Sequence, residues 1–497
     1  MSGEKYFLWN AIPNLILILL LLYYLSIRKG VGAVIAALFV YLSLHGGYAI
    51  FAAATGNGID TLNELHYQSS DLGAKLSGLF FMICCTILLM NRLHHPVQAL
   101  QGNARLILTI AYLIFLFLFI MALGAANLRN ASTGKLLTIS KETFFAAWMW
   151  ASAIVFAIVL KQGGKYLIAF RAEWIGFLAA LSIVMVASGA YEIATGVVWA
   201  GTSYASGFSY RASGALFNPN VLGFWSALMV VLISFMFHIR WISRLATLGF
   251  MLLFVACLIL SSSRSGLMLA IINLLAISLF MLSNKKSIQL SLTNKFWPLV
   301  SFITAFIICV SIISYINPSQ YLISKTLLAN LQRFMQLPID IFWIFMMKIY
   351  FPIAKLFSFL PAFENIQSAA NVYVSGHMGE SVNGRMVLEY TSDNSFMSIY
   401  AIGSIASLVI WLGLWVVMLW LGIVKNRKAR GIYSSYALVG LIFCFSSGLF
   451  LRTPQLFPIW IFMSMVLGAC LCWWLLADSI DNQGQPSALD GGKAVLL

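Results

Sequence analysis

The sequence predicts an all-α polytopic membrane protein of about 12–13 transmembrane helices, and three observations carry that expectation. Hydrophobic residues make up 61% of the 497 positions and charged residues 9%, with a mean hydropathy of +0.92. A water-soluble chain of this length needs more polar surface than that. Apolar runs of about 20 residues recur along it, the length at which an α-helix crosses a hydrocarbon core. These runs are continuous rather than alternating, which excludes a closed barrel of short strands.

In chain order the runs fall at roughly 8–27, 31–52, 72–90, 105–126, 143–160, 172–190, 219–238, 243–261, 265–283, 296–316, 396–424, 432–451 and 455–476. Met1 to Trp9 carry no cleavable signal pattern, so the first run is expected to stay in the mature protein. Basic residues gather in alternate hinges: Arg28-Lys29, Arg92 with Arg105, Lys161/Lys165/Arg171, Arg240/Arg244, Lys285-Lys286/Lys295 and Lys425/Arg427/Lys428/Arg430. The positive-inside rule makes those hinges cytoplasmic, with the N-terminus outside and the C-terminus inside. Acidic residues, Asp60, Glu64, Asp71, Glu142, Glu192 and Asp340 among them, fall mostly in the other loops. The net charge of +15 is therefore a topology signal. The bilayer is the expected surrounding, and nucleic acid is not an expected partner.

Residues 1–476 read as one transmembrane domain, interrupted by a long outer loop at about 317–395. The apolar middle of that loop, 341–360, is broken by Pro352 and carries Asp340, Lys348 and Lys355 at its edge or within it, so short interfacial or re-entrant helices are expected there. Residues 477–497 are polar and are expected to form a disordered tail. All seven cysteines lie within apolar runs, without metal-ligand surroundings, and read as buried packing. No phosphate-binding Gly-Lys-Ser/Thr loop occurs, so the energy for a reaction would come from the substrate or an ion gradient.

The most informative position is Arg264, in Ser261-Ser262-Ser263-Arg264-Ser265-Gly266 between two apolar runs. A guanidinium at such a place costs about 2–3 kcal/mol on insertion scales, so it is expected to hold an anion. Three further clusters converge on the same, outer side. Arg211 precedes Phe217-Asn218-Pro219-Asn220, where Asn218 and Asn220 suit a helix start whose positive end favours an anion. The long loop holds Arg333, then His377 between Gly376 and Gly379, then Arg385; guanidinium groups bind phosphate oxygens bidentately, and glycines let backbone amides approach. Thr391-Ser392-Asp393-Asn394-Ser395-Phe396 opens a late run, and Arg452 occupies a tight outer turn. Each cluster also has a plain structural reading, as a cap, a headgroup anchor or a solvated loop.

Taken in order, the Asn-Pro-Asn start, the Ser-Ser-Ser-Arg hinge, the long outer loop and the Ser-Asp-Asn-Ser-Phe opening resemble the O-antigen ligase/polymerase family over roughly residues 200–450. The resemblance implies a fold of the C-type glycosyltransferase class, with a site on the periplasmic face of the bacterial inner membrane. It implies transfer of a glycan from undecaprenyl diphosphate to an acceptor, with no metal and no cofactor. Chain-length regulators and flippases are the implied protein partners. Family arginines hold the diphosphate; Arg264 matches that role best and Arg333 more loosely, with Arg211, Asn218, Asn220, Arg385, Asn394 and Arg452 as further binding candidates.

One departure is informative. Ligases of the family carry His-Asn where this chain has Asp393-Asn394, so the imidazole near the acceptor hydroxyl is missing there. Asp393 serves as base, or His377 approaches from the loop, or Glu192 takes the role, or activation differs. Asp-Asn resembles the polysaccharide polymerases, which extend a lipid-linked repeat unit. The alternatives are a ligase acting on the lipid A core and, from a different class, a secondary transporter or flippase. Transporters place ionisable residues near mid-membrane, whereas the charges here fall at the ends of runs and in loops.

Overall fold

The computed structural model describes residues 171–195, 211–216, 218–283, 291–315, 322–335, 395–429, 432–450 and 459–482, with scattered helical residues between 114 and 157. Nine longer helices occur among the described residues, and no strand. They are α1 (Arg171–Thr195), α2 (Pro219–His238), α3 (Arg244–Ser261), α4 (Arg264–Ser283), α5 (Leu292–Tyr315), α6 (Leu322–Met335), α7 (Ser395–Ala429), α8 (Ile432–Phe450) and α9 (Ile459–Asn482). Six of them, α1 to α5 and α8, are long and apolar enough to cross a membrane. The first three expected runs, nearly all of the fourth, more than half of the fifth and most of the 317–395 loop lie outside the described residues, whereas the sixth run, 172–190, is α1.

α2 is the hub, packed against α3 and α4 and touching α5, α8 and α9. Its sequence is apolar all round, as a helix enclosed on every side must be. Phe224, Trp225 and Met229 are fully buried. The outer helices α1 and α5 instead turn Ile183, Ile307 and Tyr315 away from the protein, the surface expected to meet lipid. Several polar side chains inside the bundle find partners on their own helices. The hydroxyls of Ser226, Ser234 and Ser278 donate to carbonyls four residues earlier, and Asn273 Nδ2 donates to Leu269 O. These bonds spare four donors the cost of standing bare in hydrocarbon, whereas Asn273 Oδ1 and Ser301 Oγ are buried without a hydrogen-bond partner.

α2 and α4 cross where each carries a glycine. A Cβ on Gly266 would stand 2.6 Å from the Gly223 backbone, so a side chain there forces the helices apart. Close helix approach through small residues is the usual substitute for a hydrophobic driving force within lipid. The crossing lies within the first two turns of both helices, so it brings their N-termini together.

The opposite end of the bundle is held by different chemistry. His238 Nδ1 and the Tyr436 hydroxyl are 2.6 Å apart, tying the end of α2 to the start of α8. Arg244 donates to Asn294 Oδ1 through Nε and Nη2, and its guanidinium lies over the Trp297 ring. Arg240 and Arg244, in the basic hinge expected to be cytoplasmic, therefore sit at the end away from Arg264.

Two expected boundaries shift. α7 continues to Ala429, through the basic hinge, and α9 continues to Asn482, so residues 477–482 of the expected tail are helical. No glycine or proline stops α9 before Gly484. Falling hydropathy marks where a membrane ends, not where a helix must.

Candidate functional site at the α2 and α4 N-termini

The end of the bundle that holds Arg264 is assembled from four chain segments. α2 begins with Asn218 as N-cap and Pro219 at the first helical position. Asn218 Oδ1 accepts from Asn220 N at 2.8 Å and Val221 N at 3.3 Å, satisfying amides that the helix itself leaves open. α4 begins at Arg264, with Ser263 Oγ accepting from Gly266 N at 3.2 Å. Between α3 and α4 the chain turns through Ser262 in a left-handed conformation, φ 47° and ψ 35°. Ser261, Ser262 and Ser263 are all fully buried.

Arg211 stitches these segments together. Its Nε donates to Ser261 O at 3.1 Å, at the end of α3, and its Nη2 donates to Asn220 Oδ1 at 2.7 Å, at the start of α2. A cation over the last carbonyls of a helix is favourably placed. The neighbouring Ala212 N donates to Leu260 O at 2.9 Å. Asn330, fully buried on α6, points its Nδ2 at the same carbonyl oxygen at 3.5 Å. α6, which opens the long segment, thus packs on the same end of the bundle, against α3, α1 and α5.

The segment carrying Arg211 is anchored from α1. Glu192, 2% exposed, accepts from Ser213 N and Gly214 N at 2.6 Å on one oxygen and from Ser213 Oγ at 2.7 Å on the other. Gly214 has φ 55°, so the two successive amides converge as a small anion-binding nest that this carboxylate fills. Ser188 Oγ accepts from Ala215 N at 3.1 Å, extending the contact along α1.

Of the residues singled out from sequence, Arg211, Asn218, Asn220 and Arg264 come together here. Arg264 is half-buried as the first residue of α4. Arg333 lies on α6, three positions from Asn330, but its side chain is outside the described residues, as are His377, Arg385, Asp393, Asn394 and Arg452. Ser395, next to Asn394, starts α7 and is buried. Ser188, Asn330 and the Gly223–Gly266 pair carry no signal in the sequence, and Glu192, one of the alternative bases, here accepts from the turn at Ser213 and Gly214.

The side-chain charge of this end is lopsided, although the C-terminal carbonyls of α1 and α3 also meet there. Two helix N-termini and two guanidinium-bearing residues gather at it. Among the described residues Glu192 is the one acidic residue there; Glu173, Asp478 and Asp481 belong to helix ends on the far side. Helix starts and guanidinium groups both favour an anion. Compared with known protein families, curated proteins and solved structures, the chain matches none.

Proposed function

We propose that this protein is a membrane glycosyltransferase that polymerises a bacterial surface polysaccharide, such as O-antigen, capsule or exopolysaccharide. The donor is a glycan on undecaprenyl diphosphate, and the acceptor is a sugar of a lipid-linked repeat unit. The site lies on the periplasmic side of the inner membrane, at the end of the bundle against which α6 packs. The observation that carries this reading is the meeting of the α2 and α4 N-termini beside Arg211 and Arg264, at the end where α6 begins the long segment. A multiply charged diphosphate suits such an end better than a neutral solute does.

The chemistry is inverting transfer. The acceptor hydroxyl oxygen bonds to the anomeric carbon as the bond from that carbon to the diphosphate oxygen breaks. The electron pair leaves with undecaprenyl diphosphate, and the hydroxyl proton passes to a base. Charge grows on the departing diphosphate, so fixed cations and helix dipoles stabilise the transition state more than the ground state. Asp393, adjacent to the start of α7, is the base we favour, with His377 as the second candidate; such a group contributes about 10²–10⁴-fold. The Asp393-Asn394 pair, in place of His-Asn, favours polymerisation over ligation to the lipid A core.

Arg264→Ala tests this reading in a strain whose polymer length is read on a gel. The variant is expected to insert at wild-type levels and to leave single repeat units unextended. Polymer of normal length in that strain rejects the assignment. Polymer that accumulates on the carrier without reaching the core identifies a ligase instead.

A further inference from the structure

We propose that Glu192 is a positioning residue: its carboxylate fixes the turn that carries Arg211 to the ends of α2 and α3, and it takes no proton during the reaction. This rests on the diphosphate reading above and adds to it a residue that never touches the substrate.

The argument starts with where α1 ends. The apolar stretch gives out near Gly189, but the helix runs on to Thr195, and that extra turn delivers Glu192 beneath Ser213 and Gly214. A carboxylate has about four lone-pair sites, and three are filled here by donors from one turn. The side chain is 2% exposed. A general base must reach the proton it removes, within hydrogen-bond distance or through one water. A buried carboxylate with both oxygens already receiving hydrogen bonds from its own chain does not meet that requirement.

What the anchor achieves is visible one and two residues away. Ala212 N reaches Leu260 O, and Arg211 reaches both Ser261 O and Asn220 Oδ1. Three consecutive residues, 211–213, thereby join α1, α3 and the start of α2. Without Glu192 the two amides and the Ser213 hydroxyl lose their acceptor. The turn at Gly214, with φ 55°, then keeps only the bond from Ala215 N to Ser188 Oγ as its tie to α1, and Arg211 is held less firmly.

The conservative substitution separates positioning from proton transfer. A glutamine oxygen can sit where the two amides converge, and its amide can donate to Ser213 Oγ, because a hydroxyl both donates and accepts. Glu192→Gln therefore keeps the three contacts while removing the basic oxygen. Glu192→Ala removes all three.

The full-length protein in lipid nanodiscs is titrated with undecaprenyl diphosphate, and turnover is measured with a lipid-linked repeat unit. E192A is expected to bind the diphosphate about ten- to a hundredfold more weakly. E192Q is expected to recover most of the binding and turnover lost in E192A. Recovery of binding without turnover in E192Q makes Glu192 a proton acceptor and overturns the proposal, as does wild-type binding by E192A. Should E192A fail to insert, Ser213→Ala removes one of the three bonds, and amide exchange at Ser213 and Gly214 is followed alongside binding. Faster exchange with weaker binding supports the proposal; unchanged binding overturns it. Failure of wild-type protein to bind undecaprenyl diphosphate is a different outcome, because it ends the diphosphate reading and the positioning role with it.

Discussion

At the scale of single residues, this end of the molecule is organised by acceptors more than by its cations. Asn218 caps α2, Ser263 caps α4, and Glu192 holds the turn before both. Asn218→Ala is expected to lower stability by about 1 kcal/mol, the usual worth of an N-cap, read as a lower melting temperature in detergent. Asn218→Asp keeps the acceptor and should recover that loss. The cap was legible from sequence, because Asn-Pro-Asn before an apolar run combines an acceptor with a residue preset for the first helical turn. The reach of Arg211 was not, because Ser261 lies fifty positions away and only the packing of α2 against α3 brings it near. The contacts of Glu192 were not legible for a related reason: an acidic residue just past an apolar run looks like a loop carboxylate until the helix is seen to continue.

At the scale of elements, the α2–α4 crossing decides whether the two N-termini share one place. Gly266→Ala puts a Cβ 2.6 Å from the Gly223 backbone, where backbone rather than a flexible side chain must yield. The expected cost is about 1–3 kcal/mol, the range for overpacking a tight contact, with loss of diphosphate binding at a lower dose than loss of folding. Gly249→Ala is the control, since a Cβ there meets nothing within 4 Å. It should keep or slightly raise the melting temperature, because alanine is the better helix former. Helix positions themselves were readable: the expected runs at 219–238, 243–261 and 265–283 match α2, α3 and α4 to within a residue. Uniform apolarity over the right length was enough for that. Which helix would be enclosed was not readable, since α2 and α5 are both strongly apolar while 89% of the α2 window and 28% of the α5 window are buried.

At the scale of the whole molecule, the reading requires that Arg211, Arg264 and α6 lie on one side of the membrane and the Arg240/Arg244 hinge on the other. The antiparallel run of α2, α3 and α4 already separates the two sets by a helix length. Cysteines introduced at Ala194 and Leu245, both exposed and at opposite ends, test the sidedness. An impermeant thiol reagent added to spheroplasts, with the outer membrane removed, is expected to label A194C and to spare L245C. The reverse pattern would place the cationic end in the cytoplasm, away from the periplasmic donor.

The central claim is that this end grips the diphosphate of a lipid-linked sugar while a new glycosidic bond forms. Purified protein reconstituted in liposomes with a defined undecaprenyl-diphosphate-linked repeat unit measures this most directly, with products resolved by mass. The account predicts a ladder rising by one repeat unit per step and its loss in Arg264→Ala. Movement of the labelled donor across the bilayer with no product of higher mass would contradict it and identify a transporter instead.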